Sequence, residues 1–208
     1  MASRHQAGPT EPTTRDQLLD AAEHLLIEEG YAAVTSRRVG ARAGLAPQLV
    51  HYYFRTMDDL FLAVFRRRAD VGLDLLQDLV RSRPTLQQLW ELREIGLTTT
   101  TFSLEFMALA NHRKAIRSAI VEYYHRYRQL QLDAFTAALA DLGVPEERCP
   151  PLVAQLVMVG ITQLIAIDGE VGLGSGYETV VSYIREQIDG LSAGGDPATR
   201  FQAPSDQR

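Results

Sequence analysis

Leu18, Ala22, Leu25 and Leu26 recur at steps of three and four, which puts them on one stripe of a helix, with Asp16, Asp20 and Glu23 largely off it. That stripe predicts a first helix ending near Glu29. Thr14 and Gln17 have capping-box spacing at its start, and Gly30 supplies the stop. Thr35 is placed to cap a second helix over Ser36–Ala43, with Val39 and Gly40 inward and Arg37, Arg38 and Arg42 toward solvent. Gly44 suits the left-handed position that ends it. A third helix runs from about Pro47 to Tyr53, and at roughly seven residues it depends on its neighbours for stability. Thr56 caps a fourth, with Asp58 and Asp59 in the first turn, where negative charge suits the dipole. Along it Leu60, Val64, Val71, Leu75 and Leu79 continue at helical spacing to about Arg83.

Beyond Arg83-Pro84 the periodicity stays helical. Pro84 opens a segment with Leu86, Leu89, Trp90 and Leu92, and Thr98–Leu109 carries Phe102, Phe106 and Met107. A long helix over Ala115–Leu142 is stopped by Gly143 and Pro145. Two more follow, about Leu152–Glu170 and Tyr177–Ser192, around a Gly-rich turn. The expected fold is all-α with about nine helices and no internal repeat. Its expected divisions are an unstructured lead-in at 1–12, a helical head at 13–58, a helical body at 59–192 and a disordered tail at 193–208. The most apolar run, Leu152–Ile167, contains Gln155, Thr162 and Gln163, falls short of the roughly 20 residues of a membrane span, and reads as a helix buried in protein.

Charge sharpens this division. The net charge is -5 over 208 residues, yet residues 1–68 carry nine Lys/Arg against eight Asp/Glu and the remainder twelve against eighteen. From Tyr31 to Met57 there are four arginines and no acid. Any nucleic-acid contact should therefore belong to the first third, with the acidic remainder turned away from the backbone. Hydrophobic content of 46% excludes wholesale disorder. Cys149 has no partner for an internal disulfide, and MASRHQAGPTEP lacks the apolar core of a signal peptide. A reduced, cytoplasmic protein is expected.

Gly30-Tyr31, Thr35, Val39, Ala43-Gly44-Leu45, Tyr53-Phe54 and Leu60 stand in the order and spacing of the TetR family of bacterial transcriptional regulators, which residues 14–67 resemble. The resemblance implies a three-helix DNA-binding head followed by an all-helical domain that dimerises and binds a small effector. Three positions depart from the family pattern: Met57 stands where a lysine is common, Ala46 where a serine-type cap is common, and His51 where a tyrosine is common.

In a helix-turn-helix the second helix enters the major groove with its N-terminal residues at base edges, while the first crosses the backbone. Gln48 suits adenine, and Pro47 or Leu49 a thymine methyl. Thr35, Arg37, Arg38, Tyr52, Tyr53, Arg55 and Thr56 suit phosphate, and His51 suits either role. Phe54 reads as core. For the effector, Trp90, Phe102, Phe106, Met107, Tyr123, Tyr124 and Tyr127 are candidate lining with Glu105 as a polar contact, although aromatics at helical spacing are also ordinary core. The resemblance implies a dimer bundle of the last two helices. Leu156, Val159, Gln163 and Ile167 on one, and Val180, Tyr183, Ile184 and Ile188 on the other, are the expected interface.

Other chemistries are poorly supported. Glu122 and His125 form one Glu-x-x-His unit where di-iron bundles need two plus further glutamates. Gly172-Leu173-Gly174-Ser175-Gly176 follows a helix and lacks the strand context of a phosphate loop. No nucleophilic triad stands out, so neither an enzyme, a cofactor nor a metal is expected. The sequence favours a dimeric repressor that binds an inverted-repeat operator and is released by an apolar or amphipathic molecule. The competing class is a helical small-molecule-binding protein or enzyme whose head no longer binds DNA.

Overall fold

The computed structural model describes residues 12–91 and 100–192. The lead-in before Pro12, the tail from Ala193, and the expected helical positions Leu92 and Thr98 lie outside them. Among the described residues there are nine α-helices and no strand. They are α1 (Thr14–Glu29), α2 (Ser36–Ala43), α3 (Gln48–Tyr53), α4 (Met57–Arg81), α5 (Leu86–Glu91), α6 (Thr100–Ala110), α7 (Lys114–Asp141), α8 (Pro151–Glu170) and α9 (Tyr177–Ser192). A single 3-10 turn, Tyr31–Ala33, joins α1 to α2.

The start of α1 differs from the sequence expectation by one residue. Thr13 is the cap: its hydroxyl oxygen accepts from the Asp16 N–H, and an Asp16 carboxylate oxygen accepts from the Thr13 N–H at 3.2 Å and hydroxyl at 2.6 Å. An ionised carboxylate is a stronger acceptor than the neutral Gln17 amide and suits the positive end of the dipole, so Asp16 takes the role. Thr56 and Asp59 repeat the arrangement at the start of α4, and Thr85 and Gln88 at α5.

By compactness the chain forms two units, one of residues 12–70 and 102–121, the other of 71–91, 100–101 and 122–192. In the first, the α1 stripe, Val39, Val50, Phe54, Leu60 and Val64 are buried together. This unit does not end at residue 58. Phe61 and Phe65 pack on Phe106 of α6 at centroid separations of 6.5 and 5.2 Å, Phe106 lies 4.6 Å from Phe102, and Arg113 of α7 pairs with Asp58.

The second unit buries Leu86, Leu89 and Trp90 of α5 against Phe135 and Leu139 of α7, Met158 of α8 and Ile188 of α9. Two expectations fail here. Along α4 the buried stripe passes through Ala69, Leu73 and Leu76, and it leaves Val71 and Leu75 more than half exposed. A helical ridge can be followed by threes or by fours, and the packing partners choose which. The apolar α8, expected to be buried, has only 17% of its most apolar stretch covered. By length and composition alone it could cross a bilayer. Its inward side is pinned by Gln155, whose amide donates to the Arg128 carbonyl at 3.0 Å and to Gln131 Oε1 at 3.3 Å. Leu152, Val153, Leu156, Val157 and Leu164 stay exposed.

Candidate nucleic-acid interface

The geometry of the head follows from two glycines. Gly44 ends α2 at φ 68°, and its N–H returns to the Gly40 and Ala41 carbonyls. Gly40 is buried where the turn closes: a Cβ there would stand 2.9 Å from the Leu45 carbonyl oxygen and 3.0 Å from Pro47 Cα. With no side chain at position 40 the backbone leading into α3 packs directly onto α2. Pro47 adopts helical angles as the N-cap and gives no side-chain bond, consistent with Ala46 standing where a serine-type cap is common. Val50 and Phe54 anchor α3 from below, and Arg15 of α1 lies over the Phe54 ring at 5.3 Å.

Anchored in this way, α3 turns Gln48, His51, Tyr52 and Tyr53 to solvent and leaves Leu49 half-buried. Tyr52 is 78% exposed and meets Tyr53 edge to face at 5.0 Å. Thr35, Arg37, Pro47, Arg55 and Thr56 are exposed as well. Thr35 and Thr56 also have local duties, since their hydroxyl oxygens accept from the Arg38 and Asp59 N–H groups. All eleven expected contact residues thus fall in one head, and only Leu49 is partly covered.

Sequence reasoning missed the acids that come to meet this basic segment. Arg38 Nη2 donates to both carboxylate oxygens of Glu29, and Arg42 pairs with Glu28 at 2.7 Å. The hydrogen bond from Arg38 holds the Glu29 carboxyl below its usual range and lifts the guanidinium above its own. Both glutamates lie in the last turn of α1, just outside the acid-free window. Arg37 and Arg55 have no carboxylate in ion-pair range among the described residues. Beside α3 lies a groove of about 430 Å³, lined by Arg15, Tyr53, Phe54, Asp59, Arg66 and neighbouring residues of α1 and α4. Arg15, in the first turn of α1, gave no signal in sequence beyond its charge.

The expected effector residues separate. Phe102, Glu105, Phe106 and Met107 belong to the first unit, and Trp90, Tyr123, Tyr124 and Tyr127 to the second. Phe102, Phe106 and Trp90 are buried in side-chain packing, whereas Met107 is 44% exposed. Glu105 is engaged elsewhere: its Oε2 accepts the Tyr31 N–H at 2.7 Å, beside Gly30. The tyrosines do cluster, with Tyr123 5.3 Å from Tyr124 and 5.5 Å from Tyr127. Burial pushes the Tyr123 and Tyr127 hydroxyls up from the ordinary phenol range. No group of His, Cys, Asp and Glu among the described residues has the makings of a metal site.

Of the expected dimer positions, Leu156, Gln163 and Tyr183 are exposed and Val159, Ile167, Val180 and Ile184 half-buried. Ile188 is 3% exposed within the chain's own core and is unavailable to a partner. Val153, Val157 and Leu164, which the sequence reading left out, are exposed on α8.

A short helix locked to a three-helix unit through a glycine-tight turn, with its polar face outward, is a helix-turn-helix head on an all-helical body. Residues 18–64 match the family described as bacterial regulatory proteins, tetR family. The HTH-type transcriptional regulator BetI of Brucella anthropi is 29% identical over 99 residues, covering 47% of this chain and 51% of that protein. BetI of Rhizobium meliloti is 26% identical over 126 residues, covering 57% and 62%. The chain thus spans about half the length of the curated relatives it matches. In fold, it resembles a transcriptional regulator from Saccharomonospora viridis solved with choline, at TM-score 0.69 and 18% identity over 85% of this chain and 94% of that one. It also resembles FadR of Bacillus subtilis solved with stearoyl-CoA, at TM-score 0.63 and 16% identity over 86% and 98%.

Proposed function

We propose that this protein is a transcriptional regulator that binds duplex DNA as a homodimer and releases it when a small molecule binds the helical body. The observation that carries the reading is the outward face of α3 and α2 within a head of TetR type. Gln48, with Pro47 and Leu49, reads base edges. Thr35, Arg37, Arg38, Tyr52, Tyr53, Arg55 and Thr56 face the backbone, and His51 serves either role.

The uncovered α8 stripe of Val153, Leu156, Val157 and Leu164 supports the dimer, because an apolar stripe at helical spacing left in water needs a partner of its own kind. Gln163 and Tyr183 join it, with Val159, Ile167, Val180 and Ile184 at its margin. Two heads related by a two-fold then read an inverted repeat on successive turns of the groove. The effector is an apolar or amphipathic molecule and the tyrosine cluster of α7 is its expected contact. Of the ligands in the structures of like fold, stearoyl-CoA fits that description, while choline is a small quaternary ammonium cation of the kind an aromatic cluster can hold. It acts by population shift, favouring a spacing of the heads that no longer matches adjacent grooves. A cytoplasmic location and the absence of an enzymatic step follow from the same reading.

The test is a gel shift of the dimer on DNA from upstream of its own gene across a salt series. A retarded band that fades steeply as salt rises is expected. A protein that stays monomeric, or that ignores duplexes in dilute buffer, overturns the proposal.

A further inference from the structure

Two of the four arginines in the acid-free segment are already answered from within the chain. Arg38 Nη2 lies 2.5 and 2.6 Å from the two oxygens of Glu29, and Arg42 reaches both oxygens of Glu28. Neither acid is where helix physics asks for one. Both stand in the last turn of α1, which has no basic residue, at the end where the dipole disfavours negative charge. The pairs are also too exposed to hold the head together, with side chains between 35% and 51% open to solvent. What they do accomplish is to fill guanidinium donors. A carboxylate and a phosphate present the same pair of oxygens to that fork.

Resting on the DNA-binding reading above, we propose that Glu28 and Glu29 are internal surrogates for phosphate. They occupy Arg42 and Arg38 in the free head and so set its electrostatic affinity for duplex DNA of any sequence. The backbone contacts of α2 then fall mainly to Arg37 and the hydroxyl and backbone donors. A phosphate approaching Arg38 must displace Glu29 and sit within a Debye length of its charge.

Each phosphate neutralised adds about 0.9 to the slope of log affinity against log salt, worth roughly eightfold at 0.1 M. Freeing both arginines therefore raises affinity by at least about tenfold and steepens the slope.

The experiment uses the full chain and a labelled random-sequence duplex, read by fluorescence anisotropy over a salt series. The E28Q/E29Q variant is expected to bind at least about tenfold more tightly than the unaltered protein, with a steeper slope. R38Q alone should barely move the slope, R37Q should lower it by about 0.9, and R38Q added to E28Q/E29Q should return part of the gain. If the unaltered protein binds and E28Q/E29Q binds no better, or less well, the surrogate role is refuted while DNA binding stands. If neither binds any duplex, the DNA-binding reading falls and takes this inference with it. Should E28Q/E29Q fail to fold by its melting curve, R38Q against R37Q decides: equal losses of slope refute the proposal.

Discussion

Gly40→Ala probes the tightest point of the head. The new methyl would stand 2.9 Å from the Leu45 carbonyl oxygen, 3.0 Å from Pro47 Cα and 3.1 Å from Pro47 N, where ordinary contact begins at 3.4 Å. All three neighbours are backbone, so the turn must retreat by about half an ångström. Overpacking of that kind costs about 1–3 kcal/mol. Alanine returns about 1 kcal/mol through its better helix propensity. The net loss of stability is therefore small, roughly 0–2 kcal/mol. The proposed DNA readout should suffer more, because Pro47 leads directly into Gln48 and the bidentate base contact proposed for it tolerates only a few tenths of an ångström. Losing it costs about 1–3 kcal/mol of discrimination, roughly a 5- to 150-fold fall in operator affinity. Thermal unfolding and fluorescence anisotropy on operator and random duplexes measure the two effects. Gly44→Ala is the control, since nothing lies within 4 Å of its Cβ position and φ is 68°. Strain there costs about 1–2 kcal/mol of stability and leaves the operator-to-random ratio intact. A Gly40→Ala protein more stable than its parent by about 1 kcal/mol, with undiminished operator affinity, would show that the turn is not under this constraint.

Glu105→Ala removes the acceptor of the Tyr31 N–H and should destabilise the first unit by about 1–2 kcal/mol in denaturant melts, with Glu105→Gln recovering most of it; equal stability of all three proteins refutes the bond's role. Leu156→Glu places a charge on the open stripe of α8 and should give a folded monomer by light scattering, whereas a persisting dimer removes that face from the interface. Gln48→Ala should relax preference at one base pair by about 1–3 kcal/mol, and equal weakening on operator and random DNA counts against a base contact. The Thr13 hydroxyl holds the Asp16 carboxyl below the usual carboxylate range. The unfolded chain therefore binds that proton more readily, and the stabilisation is present at neutral pH and lost as pH falls through the folded value. Melting curves of Thr13→Ala should lack that acid-side decline, and an unchanged pH profile would refute the assignment.

Much of the fold was legible because its signals are local. Helix periodicity, the Thr35 cap, the left-handed Gly44 and the stop at Gly30 each act over a few residues, so α1, α2, α3 and α9 fall where the pattern places them. The one-residue error at the start of α1 arose because Thr13 and Thr14 are both plausible caps. The competition was decided by a carboxylate, Asp16, against an amide, Gln17. The exposure of the proposed contact residues on α3 was legible too, since Val50 and Phe54 claim the opposite side.

What only the tertiary structure decided are relations between residues distant along the chain. Position 40 is crowded by the backbone of Leu45 and Pro47, and Glu105 finds its partner 74 residues away at Tyr31. Ile188 entered the chain's own core while the apolar α8 was left largely open. The segment from Tyr31 to Met57 is free of acid along the chain but not in space, where α1 returns Glu28 and Glu29 to Arg42 and Arg38. A linear sequence records charge by position, but Coulomb attraction acts through distance, and distance exists only after the helices have packed.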